Sequence, residues 1–123
     1  MSDLTTLVDT HLAAYGEPDK ETRDAAIAAV WAADGALVDP PLTGAGHAGI
    51  SDLAAAVQSQ FAGHTFRRAS DVDAHHDVAR YAWELVAPDG SVALSGLDVA
   101  VVADGRLQHV VGFFGDLAPR TDA

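Results

Sequence analysis

Three apolar segments, at residues 78–87, 91–102 and 106–115, follow one another with only Pro88-Asp89-Gly90 and Asp104-Gly105 marking the breaks. Both breaks are turn sequences, because Pro presets one backbone angle while Asp and Gly tolerate the unusual ones. Connections this short cannot carry a parallel crossover, so the three segments are constrained to an antiparallel meander. A further strand is predicted over residues 65–75, ended by a turn at His76-Asp77.

The chain ahead of the strands has a different period. Leu4, Leu7, Val8, His11, Leu12 and Tyr15 recur at three- and four-residue steps, the stripe of an amphipathic helix. Gly16 and Pro18 stop that helix and Asp19 caps the next one, whose stripe is Ala26, Ile27, Val30 and Trp31 and which Gly35 closes. A short strand over 36–39 runs into Pro40-Pro41, which cannot continue a ladder. Residues 42–49, with three glycines, read as loop, and Ile50, Leu53, Ala54, Val57 and Phe61 make a third helix ended by Gly63. Helices first and a meander after them predict an α+β fold, with three N-terminal helices covering one face of a curved, mostly antiparallel sheet. A length of 123 residues has room for one core, so a single domain over 1–123 is predicted.

Charge narrows the partners. The net charge is −11 and the chain has seven basic residues, of which only Arg67 and Arg68 are adjacent. Nucleic acid and anionic membrane surfaces both require clustered Lys and Arg, so neither is expected as a partner. There is no cysteine, which removes disulfides and thiolate chemistry. Residues 1–10 carry two acids and no base, unlike a signal peptide, and no apolar run approaches the roughly 20 residues of a membrane span. A cytoplasmic location is expected.

The segment over 91–102 is apolar on both faces. Val92, Leu94, Ala100 and Val102 share one face with Gly96 and Asp98, while Ala93, Leu97, Val99 and Val101 take the other. Such a strand is predicted to be covered on both sides. Asp98 then sits among neighbours that offer little water, which raises a carboxyl pKa unless a partner offsets it. A two-residue hairpin loop at Asp104-Gly105 pairs Ala103 with Arg106 and sets Asp98 opposite Val111, with His109 and Phe113 as diagonal neighbours. On the other side, a two- or four-residue loop at Asp89-Gly90 places Tyr81 opposite Asp98, with Trp83 and Leu85 continuing that face. A three-residue loop places Arg80 there instead, as a buried ion pair.

Two other features read as ordinary structure. His75 and His76 are adjacent on an extended chain and point apart, so a solvated turn is expected rather than a metal site. Residues 44–49 have no lysine and no phosphate-loop pattern, which leaves them as a lip of the pocket.

The runs "VWAADGALVDP", "ARYAWEL" and "GLDVAVVADGRLQHVVGFFGD", with a Gly-rich loop and a helix after the first, resemble the SnoaL-like proteins of the nuclear-transport-factor-2-like superfamily. The resemblance covers nearly the whole chain. It implies a cone, a bent sheet wrapped by helices around a deep apolar cavity, and often a homodimer. Ketosteroid isomerase, polyketide cyclases and limonene-epoxide hydrolase belong to that superfamily, as do many non-catalytic members. Asp39 in "LVDPP" matches the isomerase's general base, and Asp98 in "GLDVAVV" matches its protonated oxyanion-hole aspartate. That enzyme is a standard instance of a carboxylic acid kept neutral by an apolar site. Its oxyanion-hole tyrosine falls nearest His11, with Tyr15 one turn later. The hydrolase's Asp-Arg-Asp set falls near Tyr81, Trp83 and Phe113, so epoxide hydrolysis is not expected.

The candidate catalytic residues are therefore Asp39 and Asp98. The candidate pocket residues are His11, Tyr15, Trp31, Tyr81, Trp83, His109 and Phe113. Three functions stand open at this point. One is an isomerase or cyclase needing no metal or organic cofactor, acting on an apolar polycyclic or terpenoid-like ligand: Asp39 moves a proton on carbon, while Asp98, with His11 or Tyr15, steadies the enolate. Another is a non-catalytic binder of an apolar metabolite. The last is a dimerisation module with a vestigial cavity.

Overall fold

The structure is a computed structural model and describes residues 3–40 and 42–121; Pro41, one half of the Pro40-Pro41 pair, lies outside that range. Helix α1 spans Leu4–Tyr15 and α2 spans Lys20–Val30, capped by Asp3 and Asp19, whose carboxylates accept from the Thr6 and Thr22 amides. These caps satisfy N–H groups that the first helical turn leaves unpaired. Helix α3 spans Gly46–Gln60. The strands are β1 (Trp31–Val38), β2 (Thr43–Ala45), β3 (Thr65–Arg68), β4 (Asp73–His75), β5 (Val78–Val86), β6 (Val92–Ala103) and β7 (Arg106–Phe114). They form one sheet in the order β2-β1-β7-β6-β5-β3, with β4 also pairing β5. Only β1 against β7 is parallel. The result is the α+β cone-type arrangement, with the meander β5-β6-β7 at its centre and the helices packed on one face.

The N-terminal half departs from its sequence pattern in two places. Helix α2 ends at Val30, and Trp31 opens a strand instead of extending the helical stripe. Arg106 of β7 is one cause: its guanidinium donates to the Ala28 and Ala29 carbonyls at 2.7 and 3.1 Å, closing the helix end. Gly35 is the other, since the Trp31 ring lies 2.5 Å from where a Cβ at 35 would stand, so only glycine lets the indole fold along its own strand. In the predicted loop 42–49, residues 43–45 pair with β1 and the helix already begins at Gly46. The predicted strand 65–75 is two strands, β3 and β4, with Ser70 between them accepting from the Ala82 amide.

Two bulges decide what faces what. Ala87 donates to the Ser91 carbonyl, so the β5–β6 loop holds three residues, the length that would set Arg80 opposite Asp98. A shift at Ala93 undoes this, and Tyr81 stands opposite Asp98 while Arg80 pairs with Asp73 at the surface. On the other side, Ala103 pairs with Arg106 as the two-residue turn requires, but Gln108 is skipped and Asp98 faces Gly112, not Val111. A bulge moves every later residue by one position and therefore to the other face.

One contiguous core joins the helices to the inner sheet face, with Val8, Ile27, Trp31, Leu37, Ile50, Leu85, Leu107 and Val110 all but inaccessible. The expectation that β6 is covered on both sides holds only for its inner face. Along the outer row, Ala93 and Leu97 are exposed and Val99 and Val101 are half-buried. Among the described residues, no helix is long and apolar enough to cross a membrane.

Candidate active site

Two carboxyl groups, each tied to a tyrosine, meet at one glycine. Asp39 follows the last residue of β1, and its Oδ2 accepts from the Tyr15 hydroxyl of α1 at 2.9 Å. Asp98 is central in β6, and its Oδ2 accepts from the Tyr81 hydroxyl of β5, also at 2.9 Å. A Cβ on Gly112 would overlap Asp39 Oδ1 and stand 3.0 Å from Asp98 Oδ1. The missing side chain at 112 is thus what lets both acids approach one spot. Each acid has one oxygen held by a tyrosine and the other bordering that spot.

Burial separates the two electrostatically. Asp98 is 5% exposed, and desolvation pushes its carboxyl up to about 7, with the Asp39 charge adding to the rise and the Tyr81 hydrogen bond opposing it. Asp39 is half-buried; desolvation raises it too, and the Tyr15 hydrogen bond pulls it back toward ionisation. Like charges this close do not both ionise readily, so near neutral pH the pair favours one proton, held on Asp98. Both tyrosine hydroxyls are pushed well up, first by burial and then by the acid each one binds, so they remain donors.

These acids stand in the wall of a cavity of about 210 Å³. Its apolar lining includes Leu12, Leu37, Val57, Phe61, Leu85 and Leu94, and its polar members are His11, Tyr15, Asp39, Gln60, Trp83 and Asp98. The lining residues Pro40, Leu42, Gln60 and Phe114 are exposed and so mark the mouth. Among the described residues no Lys or Arg lines it.

The remaining sequence candidates are sorted by depth. His11, Tyr15 and Trp83 line the cavity. Trp31 and Tyr81 stand behind the wall, not in it: the Trp31 indole donates to His11 Nδ1 at 3.3 Å, and Tyr81 holds Asp98. Burial pushes His11 down to about 4, so the imidazole is neutral, with its proton on Nε2 because Nδ1 accepts. His109 and Phe113 are outside the site. The skipped Gln108 turns both onto the outer face, where Phe113 is 55% exposed. Phe114 takes the lining place instead, edge-to-face on Trp83 at 5.7 Å. Phe114 and Gly112 were not singled out from the sequence. A glycine inside an apolar strand is a usable signal of close approach, whereas the choice of Phe114 over Phe113 depends on a bulge that no residue pattern announces.

His75 and His76 are exposed, with their Nδ1 atoms 3.0 Å apart, because His76 turns back at φ 53°. No group of three or more metal-ligating side chains is gathered among the described residues.

No family model and no curated protein matches the sequence. Solved structures do. A proposed isomerase of the SnoaL-like family from Agrobacterium tumefaciens str. C58 shares 35% identity, covering 94% of this chain and 100% of that one, at a TM-score of 0.87. A proposed polyketide cyclase from Sinorhizobium meliloti shares 16% identity over 87% of this chain and 93% of its own, at 0.68. A proposed SnoaL-like polyketide cyclase from Jannaschia sp. CCS1 shares 14% over 89% and 85%, at 0.66. The latter two show the fold alone. The first carries more, and this chain belongs to the SnoaL-like family.

Proposed function

We propose that the protein is a cofactor-independent isomerase or cyclase that moves a proton on carbon next to a carbonyl group. The observation that carries this reading is the convergence of two unequally buried carboxyls on Gly112, in the wall of an apolar cavity. Asp39, ionised, takes a proton from the carbon α to the ligand's carbonyl. The electron pair of that C–H bond forms the carbon–carbon π bond of an enolate, and the carbonyl oxygen gains the charge. Asp98, as the neutral acid, donates a hydrogen bond to that oxygen. Asp39 then returns its proton to a second carbon or to the first, so nothing is consumed. Among the described residues the Asp39 side chain is bonded to Tyr15 and not to the amides of its own turn, which suits a base better than a turn-closing residue. The A. tumefaciens neighbour, itself named as a proposed isomerase, supports the same class.

The cavity is smaller than the roughly 300–1,000 Å³ usual for drug-sized ligands, which favours one or two rings over a polycyclic skeleton. One- and two-ring β,γ-unsaturated ketones are the first substrates to offer, in heavy water, with conjugation followed by absorbance and deuterium uptake by mass spectrometry. Turnover that Asp39→Asn abolishes is expected. Binding with no deuterium uptake from any ketone would replace the enzyme by a binder of the same ligand class.

We further infer that a second copy of the chain covers the outer sheet face. Leu97 and Phe113 stand exposed there as neighbours on β6 and β7, and the repulsion of a net charge of −11 leaves an apolar face as the favourable contact between copies. Sedimentation should give a dimer that Leu97→Asp dissociates; a monomer for the unaltered chain would end this inference.

A further inference from the structure

Trp83 is 4% exposed, and its indole Nε1 is the one fully buried side-chain nitrogen or oxygen among the described residues that meets no hydrogen-bond partner in the protein. Buried donors are nearly always paired, and an unpaired one costs about 1–3 kcal/mol, so its retention asks for a reason. Its place supplies one. Trp83 stands opposite Gly96 in the β5–β6 ladder, two residues along from Tyr81 opposite Asp98, and it lines the cavity. A Cβ at Gly96 would overlap the indole and lie 2.7 Å from Cε2, the atom bonded to Nε1, so the ring is seated on bare backbone. Phe66 and Phe114 fix it edge-to-face at 5.6 and 5.7 Å. The N–H lies near enough to Asp98 to favour its ionised form, yet without hydrogen-bond geometry to it.

The other tryptophan provides the contrast. Trp31 Nε1 is satisfied by His11 inside the core. Tyr15 and Tyr81, the hydroxyl donors nearby, are committed to the two acids. Besides the proton of Asp98, the open donors deep in the site are therefore N–H groups, and among the described residues no cationic side chain lines the cavity.

We propose that the Trp83 indole N–H is the recognition donor of this site, bonding the acceptor oxygen of an uncharged one- or two-ring ketone beside Asp98. This rests on the acid–base reading for the ketone but not for the binding. The ligand's oxygen pairs a group the protein leaves unpaired, while a hydrocarbon of the same shape leaves it unpaired, and the selectivity follows from that difference. Anionic ligands are disfavoured by the two carboxyls and the lack of a counter-charge.

The test uses α-tetralone and its hydrocarbon counterpart tetralin with the full chain. Two indole cross-peaks are present in the proton–nitrogen spectrum, one per tryptophan. The ketone should shift the Trp83 peak downfield and leave the Trp31 peak nearly still. It should bind at least about tenfold more tightly than tetralin, the share that one hydrogen bond to the buried Trp83 donor gives. Trp83→Phe keeps an aromatic ring and removes the N–H; it should hold tetralin as before and lower the ratio by about tenfold. An unchanged ratio in Trp83→Phe, an unmoved Trp83 peak in the ketone complex, or no binding of the ketone would each overturn the proposal. Should Trp83→Phe fail to fold, the peak shift in the unaltered chain decides alone. Deuterium uptake at the ketone's α carbon is read separately: selectivity without uptake sinks the acid–base reading only, and uptake without selectivity sinks this one only.

Discussion

The two sides of the site are built from the same parts and stand in unequal surroundings. On the α1–β1 side a tyrosine hydroxyl holds Asp39 at 2.9 Å, and on the β5–β6 side another holds Asp98 at the same distance. Burial is the main difference, half against nearly complete, and in the proposed reaction it makes one group the base and the other the acid. Hydrogen bonding alone does not assign such roles. A sheet centre and a strand end are unequal solvents, and the fold uses that inequality.

The comparison breaks most completely at the glycine both acids border. Gly112→Ala puts a methyl group where Asp39 Oδ1 now stands, so turnover should fall by about 100-fold or more. Stability should fall by about 1–3 kcal/mol, as overpacking commonly costs, measured by urea denaturation. Wild-type turnover with Gly112→Ala would show that the convergence is unused.

Asp98→Asn keeps a neutral, hydrogen-bonding group and should keep the fold. The sign of its stability effect follows from linkage. Asp98's folded pKa is raised, so its contribution to stability is whole below the ordinary value of 3.8 and is lost as pH rises through about 7. Above pH 7 the variant should therefore be more stable than the unaltered chain, by a few kcal/mol, and equal to it near pH 3. Thermal melts across that range check it. A variant that unfolds at every pH would mean that Asp98 supports the fold as an ionised group.

A finer probe exchanges the tyrosines. Turnover should rise with pH as Asp39 ionises and fall as Asp98 does, near 7. Each tyrosine favours the ionised form of its own acid, so each Tyr→Phe change raises one pKa. Tyr15→Phe moves the acidic limb upward and narrows the active range; Tyr81→Phe moves the alkaline limb upward and widens it. The smallest effect belongs to the outer face, where Phe113→Ser should leave turnover within about twofold, since the side chain points away from the cavity.

The sequence made some of this legible and hid the rest. Helix α1 and the meander follow from periodicity and turn residues, Asp98 stands out as an acid in apolar company, and Asp39 is marked by the resemblance to the isomerase's base. Tyr81 faces Asp98 as one register proposed, but by a route the sequence does not show: a three-residue loop, corrected by the Ala93 bulge. The Gln108 bulge had no such counterpart, and it sent His109 and Phe113 outward in place of Val110 and Phe114. Trp31 was misplaced on a helix because its apolar spacing fits both periods. Part of what ends the helix is Arg106, a residue 75 positions later, and local pattern carries no trace of it.

The unequal acids can be read directly by carbon-detected NMR titration of the aspartate carboxyls from pH 3 to 9, with Asp39→Asn and Asp98→Asn used for assignment. We expect Asp98 to titrate near 7, Asp39 to titrate below Asp98 though raised by burial, and Asp98 to shift downward when Asp39 is made neutral. Asp98 titrating in the ordinary carboxylate range, or Asp39 titrating above Asp98, would contradict the division of labour on which the proposed reaction depends.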